Sequence, residues 1–224
     1  QLTVGYNSHN VYSNWEIVLY KIGEFLVAFW FFLFTRRIVL GKENVPGCGP
    51  ILVVANHLNN ADPPLVGICL GRKARFMAKE ELFRNPIARF ILFSVGAFPV
   101  NRRRPGKDSL QKAEETLTQG QPLVMFPEST RSPTANMRTG LPGAAMVAAK
   151  TGVPILPIGI TGTEKIKGAL WWLTRPTVRV NIGVPFNLPP RNGELTREDL
   201  SDYTGTIMTR IASLVPVDYR GEYA

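Results

Sequence analysis

The hydrophobic pattern divides the chain into an apolar amino-terminal stretch and a body in which short apolar runs alternate with longer amphipathic stretches. Short runs bounded by Gly, Pro or Asn are typical of buried strands, and the longer stretches have the spacing of helices. Strands are predicted over 51–55, 75–78, 97–100, 123–126, 155–160 and 178–182, and helices over 63–70, 85–94, 108–119, 141–150 and 196–214. This alternation predicts an α/β fold, a mostly parallel mixed sheet flanked by helices.

The apolar amino-terminal stretch contains the unbroken run 25–34, which is preceded by Glu24 and followed by Arg36 and Arg37. The run is much shorter than the roughly 20 apolar residues that a membrane-spanning helix needs. Its aromatic content and its basic end favour a helix in the membrane interface, with the arginines near anionic lipid headgroups. A membrane-spanning helix and a helix packed on the domain are the alternatives.

A connector rich in glycine and proline, residues 41–50, follows this stretch and marks the predicted domain boundary. We assign residues 1–40 to an N-terminal helical membrane-anchoring segment and residues 41–224 to the α/β domain. The two cysteines are sparse and show no paired spacing, which is typical of a reducing compartment. We therefore expect a peripheral or monotopic protein at the cytoplasmic face of the cell membrane.

The charge balance points to an anionic partner, since 26 Lys and Arg against 17 Asp and Glu give a net charge of +9. An anionic membrane surface, a phosphate-bearing substrate and an acidic carrier protein all satisfy this requirement. We expect no nucleic acid, because the basic residues are not interleaved with aromatics and no nucleic-acid-binding module appears. We also expect no metal, because the two histidines and two cysteines lack metal-ligand spacing.

The candidate chemistry lies in the stretch 56–63, N-H-L-N-N-A-D-P, directly after a predicted strand. Strand ends of this kind are where α/β folds place functional residues. On an ideal helix five residues advance by about 500°, so His57 and Asp62 meet only across a turn. Pro63 favours such a turn, because the residue before a proline avoids the helical region. We expect Asp62 to cap helix 63–70 and also to orient His57 as a general base.

Three further blocks follow in order: G-A-F-P-V-N-R at 96–102, F-P-E-S-T-R-S at 126–132 and V-P-I-L-P-I at 153–158. Together with N-H-x4-D-P, they resemble the glycerolipid acyltransferase family, most closely the 1-acylglycerol-3-phosphate (lysophosphatidic acid) acyltransferases. The resemblance implies acyl transfer from a thioester to a hydroxyl, with His57 deprotonating the hydroxyl and Asp62 stabilising the imidazolium. It implies no cofactor, and the co-substrate is acyl-CoA or an acyl carrier protein thioester.

The resemblance also implies a set of residues that bind the phosphate and glycerol of the acceptor. These residues are Lys79, Arg102, Glu128, Ser129, Thr130 and Arg131. Arginine suits the task because its planar fork matches phosphate oxygens. The expected acceptor is a lysophospholipid, 1-acylglycerol-3-phosphate, which gives phosphatidic acid. Glycerol-3-phosphate and lysolipids with a larger headgroup are alternative acceptors, and a lipid-binding protein with an inactive site is the alternative that is not an enzyme.

The third block departs from the family pattern, because Ser129 stands where E-G-T-R has glycine. If glycine serves a positive φ or a close approach of substrate, serine must strain the loop or the loop must differ. The departure affects the identity of the acceptor more than the reaction. A hydrolase with Ser129 as nucleophile is disfavoured, because Pro127 and Arg131 stand where the G-x-S-x-G elbow has glycines.

Overall fold

The computed structural model describes residues 14–86, 89, 92–93, 96–100, 107–190 and 193–224. Within these residues seven strands form one sheet. The strands are β1 (Arg36–Leu40), β2 (Leu52–Ala55), β3 (Arg75–Lys79), β4 (Ala97–Val100), β5 (Leu123–Met125), β6 (Ile155–Thr161) and β7 (Thr177–Ile182). The helices are α1 (Asn14–Phe34), α2 (Asp62–Leu70), α3 (Lys107–Thr118), α4 (Gly143–Thr151), α5 (Trp171–Thr174) and α6 (Arg197–Ala212).

The strand order across the sheet is β1-β7-β6-β2-β5-β3-β4. Neighbouring strands are parallel except β6 and β7, which are antiparallel. β1 and β7 therefore run against the other five strands. As a result, the carboxyl ends of β2 to β6 share one edge of the sheet with the first residues of β1 and β7.

Helices cover both faces of the sheet, and the alternation of side chains along β2 shows how. Leu52 and Val54 face a core that includes residues of α3, α4 and α6. Val53 and Ala55 face the opposite core, which includes residues of α2 and Phe31 of α1. Because successive side chains of a strand point to opposite faces, one fully apolar strand serves both cores. The prediction of an α/β fold with a mostly parallel sheet and flanking helices is confirmed.

The predicted elements largely coincide with those of the structure. All six predicted strands are present within one or two residues of their predicted ends. The carboxyl-terminal helix α6 begins after Thr196, whose side chain and that of Asp199 form a reciprocal capping box. Half of the helix predicted over 85–94 lies outside the described residues, as do all of residues 1–13.

The edge strand β1 was not predicted. Its residues pair in parallel with β7, from Arg36 opposite Thr177 to Leu40 opposite Asn181. A run of two arginines and three apolar residues has no alternation that marks a strand, and its pairing partner lies far along the chain. The sheet thus includes residues that the sequence assigned to the N-terminal segment.

Helix α1 contacts the domain through only part of its surface. Phe31 is buried in the core that also contains α2. Several other large apolar side chains of the helix are exposed: Val18, Ile22, Phe25, Leu26, Phe29, Phe32 and Leu33. Among the described residues, no helix combines the length and the apolar character that crossing a membrane requires.

Candidate active site

The two loops that follow β2 and β5 lie side by side, because these strands are neighbours at the centre of the sheet. The backbone of His57 joins them. Its N–H donates to Oε1 of Glu128 at 3.1 Å, and its carbonyl accepts from the N–H of Ser132 at 2.8 Å. Both peptide groups of His57 are thus held by the loop after β5.

The His57 and Asp62 side chains meet across the turn, with Nδ1 of His57 2.9 Å from Oδ2 of Asp62. The same Oδ2 accepts from the N–H groups of Leu58 at 2.6 Å and Asn59 at 2.7 Å. Asp62 is fully buried and His57 is 5% exposed. Because an ionised carboxylate only accepts hydrogen bonds, it favours the proton on Nδ1 and leaves Nε2 of neutral imidazole free to act as a base.

The prediction that Asp62 caps the following helix was wrong. Helix α2 begins at Asp62 itself, Ala61 occupies the cap position, and no side chain there accepts a capping hydrogen bond. The Asp62 carboxylate turns back instead to the loop, where an imidazole and two backbone N–H groups surround Oδ2. Pro63 and Pro64 reduce the need for a cap, because proline has no backbone N–H that would require a partner.

Two further side chains, one against His57 and one directly before it, stabilise this loop and were not predicted to do so. The Phe126 ring stacks on the imidazole, with ring centroids 4.3 Å apart and planes 27° apart. The buried Asn56 amide bonds both backbone groups of Ile160, accepting from its N–H at 2.7 Å and donating to its carbonyl at 2.9 Å. A polar residue directly after a fully apolar strand was the available signal, since a buried amide requires partners.

The Glu128 carboxylate braces two backbone segments. Its Oε1 accepts from the N–H of His57 and its Oε2 from the N–H of Arg138, both at 3.1 Å. The side chain is 3% exposed, and burial raises the pKa of Glu128 to about 7, although the two amide hydrogen bonds favour the ionised form. Because both oxygens are engaged by peptide groups, the carboxylate positions the histidine loop.

Ser129 adopts the backbone conformation that glycine tolerates best. Its φ is 59°, and its N–H donates to the carbonyl of Phe126 at 2.9 Å, which closes a tight turn. Left-handed backbone is unfavourable for a residue with a Cβ atom. Ser129 therefore strains the loop in the way expected of a non-glycine residue at this position. Thr130 and Arg131 follow it and are exposed.

The model of the family described as Acyltransferase matches residues 36–161, more than half of the chain, and this range contains both loops. The chain belongs to the acyltransferase family. The resemblance inferred from the four sequence blocks is therefore confirmed.

Individual relatives extend this finding. The chain is 32% identical over 175 residues to a chloroplastic 1-acyl-sn-glycerol-3-phosphate acyltransferase of Brassica napus, covering 74% of this chain and 51% of that protein. It is 27% identical over 177 residues to the 1-acyl-sn-glycerol-3-phosphate acyltransferase of Bacillus subtilis, covering 79% and 86%. The chain spans about half the length of its plant relatives from Brassica napus and Arabidopsis thaliana.

A solved structure is also similar. The crystal structure of the 1-acyl-sn-glycerophosphate (LPA) acyltransferase PlsC from Thermotoga maritima matches with a TM-score of 0.69 and 30% identity. The match covers 89% of this chain and 79% of that one. The sheet and its flanking helices are thus shared with this acyltransferase.

Two predicted site residues remain, Lys79 and Arg102. Lys79 is the last residue of β3, next to β5, and forms an ion pair with Glu81 at 3.5 Å. Arg102 lies outside the described residues. In the part of the chain that is described, no group of three or more His, Cys, Asp or Glu side chains could hold a metal ion.

An apolar cavity of about 440 Å³ lies against the loop after β5. Its walls come from β3, β4, β5, α3 and α4, and it reaches Phe126, Pro127 and Ser129. The apolar side chains that line it are Met77, Val100, Leu110, Val124, Met125, Leu141, Ala144 and Met146. Phe126 therefore lines this cavity and also stacks on His57, so its ring connects the cavity wall to the imidazole.

Proposed function

We propose that this chain transfers a fatty acyl group from a thioester donor to the free hydroxyl of 1-acylglycerol-3-phosphate, which gives phosphatidic acid. The observation that carries the proposal is the buried pair of His57 and Asp62, with 2.9 Å between Nδ1 and Oδ2. The relatives from Brassica napus and Bacillus subtilis, both named for this acceptor, support the choice of substrate.

In the proposed step, Nε2 of His57 takes the proton of the acceptor hydroxyl as that oxygen forms a bond to the thioester carbonyl carbon. The Asp62 carboxylate stabilises the imidazolium. Collapse of the tetrahedral adduct breaks the C–S bond, and the imidazolium returns its proton to the departing thiolate. The products are an ester and a free thiol, with no covalent enzyme intermediate. General-base assistance of this kind contributes about 10²–10⁴-fold in rate.

We assign separate residues to the phosphate, the glycerol and the acyl chain of the substrates. Arg131 and Lys79, with Arg102, bind the acceptor phosphate, Ser129 and Thr130 lie along the glycerol, and Glu128 holds the loop. The acyl chain occupies the 440 Å³ cavity, whose apolar lining and closeness to Phe126 support this assignment. The donor is acyl-CoA or an acyl carrier protein, and the net charge of +9 suits either anionic carrier.

We also propose that the protein works on a membrane surface, at the cytoplasmic face. The exposed apolar side chains of α1, including Phe25 and Phe32, support attachment of this helix to a membrane. Arg36 and Arg37 follow this helix and are exposed, which suits anionic headgroups. A lysophospholipid acceptor is itself a membrane component, so attachment brings enzyme and substrate together.

A thiol-release assay tests the proposal. Acyl-CoA and acyl carrier protein thioesters are each offered with lysophosphatidic acid, glycerol-3-phosphate and lysolipids that carry larger headgroups. We expect thiol release with lysophosphatidic acid and its loss in a folded His57→Ala variant. Release with another acceptor alone would reassign the substrate, and lipid binding without turnover for every pair would favour a lipid-binding protein. A folded, fully active His57→Ala protein would exclude the general-base mechanism.

A further inference from the structure

The segment that joins β6 to β7 exposes large apolar side chains in and directly before the short helix α5. In residues 165–175, which we call the aromatic loop, Leu170 is 62% exposed, Trp172 44% and Leu173 61%. Single exposed apolar side chains are ordinary on a protein surface, but a contiguous group marks an interaction site. The aromatic loop is therefore a candidate interaction site.

The aromatic loop is joined to the carboxyl end of α1. The Trp171 ring packs against Trp30, with centroids 5.3 Å apart, and against Phe34, with centroids 6.2 Å apart. The Arg175 guanidinium donates to the carbonyl of Phe32 at 3.0 Å. This hydrogen bond provides a partner for a carbonyl in the last turn of a helix, where carbonyls lack helical partners. The loop and the exposed face of α1 thus form one continuous surface.

This surface lies at the edge of the sheet that carries His57. β6 ends there, and β7 and β1 begin there, because β6 and β7 are antiparallel while β1 and β7 are parallel. A direct contact links the two regions, since Nδ2 of Asn59 donates to the carbonyl of Ile166 at 3.0 Å. The aromatic loop is therefore bonded to the loop that holds the candidate general base.

The charge beside the aromatic loop identifies the partner. Residues 165–181 contain four basic and no acidic residues: Lys165, Lys167, Arg175 and Arg179, all of which are exposed. Tryptophan prefers the interface between membrane and water, and basic side chains are attracted to anionic lipid headgroups. An apolar tip with tryptophans and a basic border fits the headgroup region of an anionic bilayer better than it fits a second copy of this basic chain.

We propose that the aromatic loop is a second membrane contact that inserts beside α1 into the headgroup region of an anionic bilayer. The proposal rests on the proposed function insofar as a membrane lipid is the acceptor. Docking through this surface turns the carboxyl ends of the parallel strands toward the bilayer. A lysolipid can then present its hydroxyl to His57 while its acyl chain stays in the membrane.

The main test is a double variant, Leu170→Ser/Leu173→Ser, in the full chain. The matched control is Leu40→Ser/Val184→Ser, which changes two side chains that are 55% and 69% exposed and lie where β1 and β7 end, at the opposite edge of the sheet. Co-sedimentation uses vesicles of phosphatidylcholine and phosphatidylglycerol. We expect the test variant to bind at least about tenfold more weakly and the control to bind like the wild type. Unchanged binding of the test variant would overturn the proposal.

The variant Lys165→Gln/Lys167→Gln tests the basic border. Each lost lysine should weaken binding to the anionic vesicles by about fivefold and leave binding to pure phosphatidylcholine vesicles unchanged. An equal loss on both kinds of vesicle would show that the lysines do not act by attracting anionic lipid, and would overturn that part of the proposal.

Two further measurements separate this proposal from its rivals. With a short-chain lysophosphatidic acid dispersed in water, Leu170→Ser/Leu173→Ser should release thiol at the wild-type rate, whereas with the acceptor in vesicles the rate should fall. If the wild type releases no thiol with any acceptor yet loses vesicle binding through this variant, the proposed function fails and the membrane contact stands. Sedimentation equilibrium compares the oligomeric states of the wild type and the variant. If the wild type is a dimer, the variant is a monomer and vesicle binding persists, the surface is a self-association interface and the proposal is overturned.

Discussion

Two buried carboxylates, Asp62 and Glu128, follow the neighbouring strands β2 and β5, and their surroundings differ. Asp62 gathers three donors on one oxygen, and one of them is the imidazole of His57. Glu128 receives one backbone N–H on each oxygen, from His57 and Arg138. One carboxylate therefore acts on the proton-carrying ring, and the other acts on the position of the backbone that bears it. The atoms that a carboxylate reaches, rather than its residue type, decide its role.

Removing the Asp62 carboxylate should have the largest effect. We expect Asp62→Ala to lower the rate of acyl transfer by about 10²–10⁴-fold, because nothing then orients the imidazole or stabilises its charged form. The same variant should also lose stability, because the N–H groups of Leu58 and Asn59 lose their acceptor. Thiol release and denaturant unfolding measure the two effects.

Asp62→Asn is the control for this prediction, because the amide keeps an acceptor oxygen for the loop but has no charge. It should unfold much like the wild type and still be slow. A fast Asp62→Asn enzyme would show that Asp62 only holds the backbone, as Glu128 does, and the contrast between the two carboxylates would disappear.

The titration of Glu128 should make the free energy of unfolding depend on pH. The pKa of Glu128 rises from 4.5 to about 7 on folding, so the native state binds more protons than the unfolded state between these values. Its contribution to the free energy of unfolding is complete below pH 4.5 and is lost as the pH rises through 7, by about 3 kcal/mol in all. Denaturant unfolding across this pH range measures the loss.

Glu128→Gln provides the comparison, because an amide does not titrate in this range. The stability advantage of the wild type over this variant should fall by about 3 kcal/mol as the pH rises from 4.5 to 7, so that near pH 7 the variant is at least as stable as the wild type. The variant should start about 1–3 kcal/mol less stable at low pH, since its NH₂ group faces a backbone N–H donor. A difference that is independent of pH would show that Glu128 is ionised throughout.

The Asn56 amide should matter for stability and for the placement of His57. Asn56→Ala leaves the buried N–H and carbonyl of Ile160 without side-chain partners, which costs about 2 kcal/mol. Because Asn56 precedes His57, we also expect a modest fall in the rate of acyl transfer. Unfolding and thiol release give both values, and Asn56→Ser, with one short polar group, should lie between the alanine variant and the wild type.

The smallest effect should come from Ser129. Replacement by glycine relieves the strain at φ 59°, so Ser129→Gly should be about 1 kcal/mol more stable than Ser129→Ala, which loses the hydroxyl but keeps the Cβ atom. Denaturant unfolding measures the difference. Equal stabilities would mean that the loop relaxes around the side chain, and that the loop after β5 is less rigid than the loop after β2.

Elements with a local cause could be predicted from the sequence. Apolar runs such as 155–160 predicted strands because a strand buried on both faces needs little else. The start of α6 was predictable because the capping box at Thr196 and Asp199 is complete within four residues. The meeting of His57 and Asp62 across a turn was predicted correctly, but Pro63 does not keep Asp62 out of the helix, because Asp62 is the first residue of α2.

Features with a distant cause could not be predicted in this way. β1 is a strand only because β7 offers it an open edge, and its own residues carry no strand pattern. Asp62 was expected at a helix cap, but the N–H groups of the preceding loop compete for the same oxygen and are better placed. Glu128 was predicted from the resemblance to bind substrate, and only the packing of the two loops shows that its oxygens also accept from the N–H groups of His57 and Arg138.

Short-range hydrophobic patterns and motif residues therefore suffice to predict the class of fold, the family and the pair of residues proposed for the chemistry. Only the folded structure shows which carboxylate contacts the imidazole and which braces its backbone. It also shows that the aromatic loop, more than a hundred residues after His57, lies bonded to the same site. Sheet topology is the physical reason, since antiparallel pairing of β6 and β7 brings that loop back to the edge where the parallel strands end.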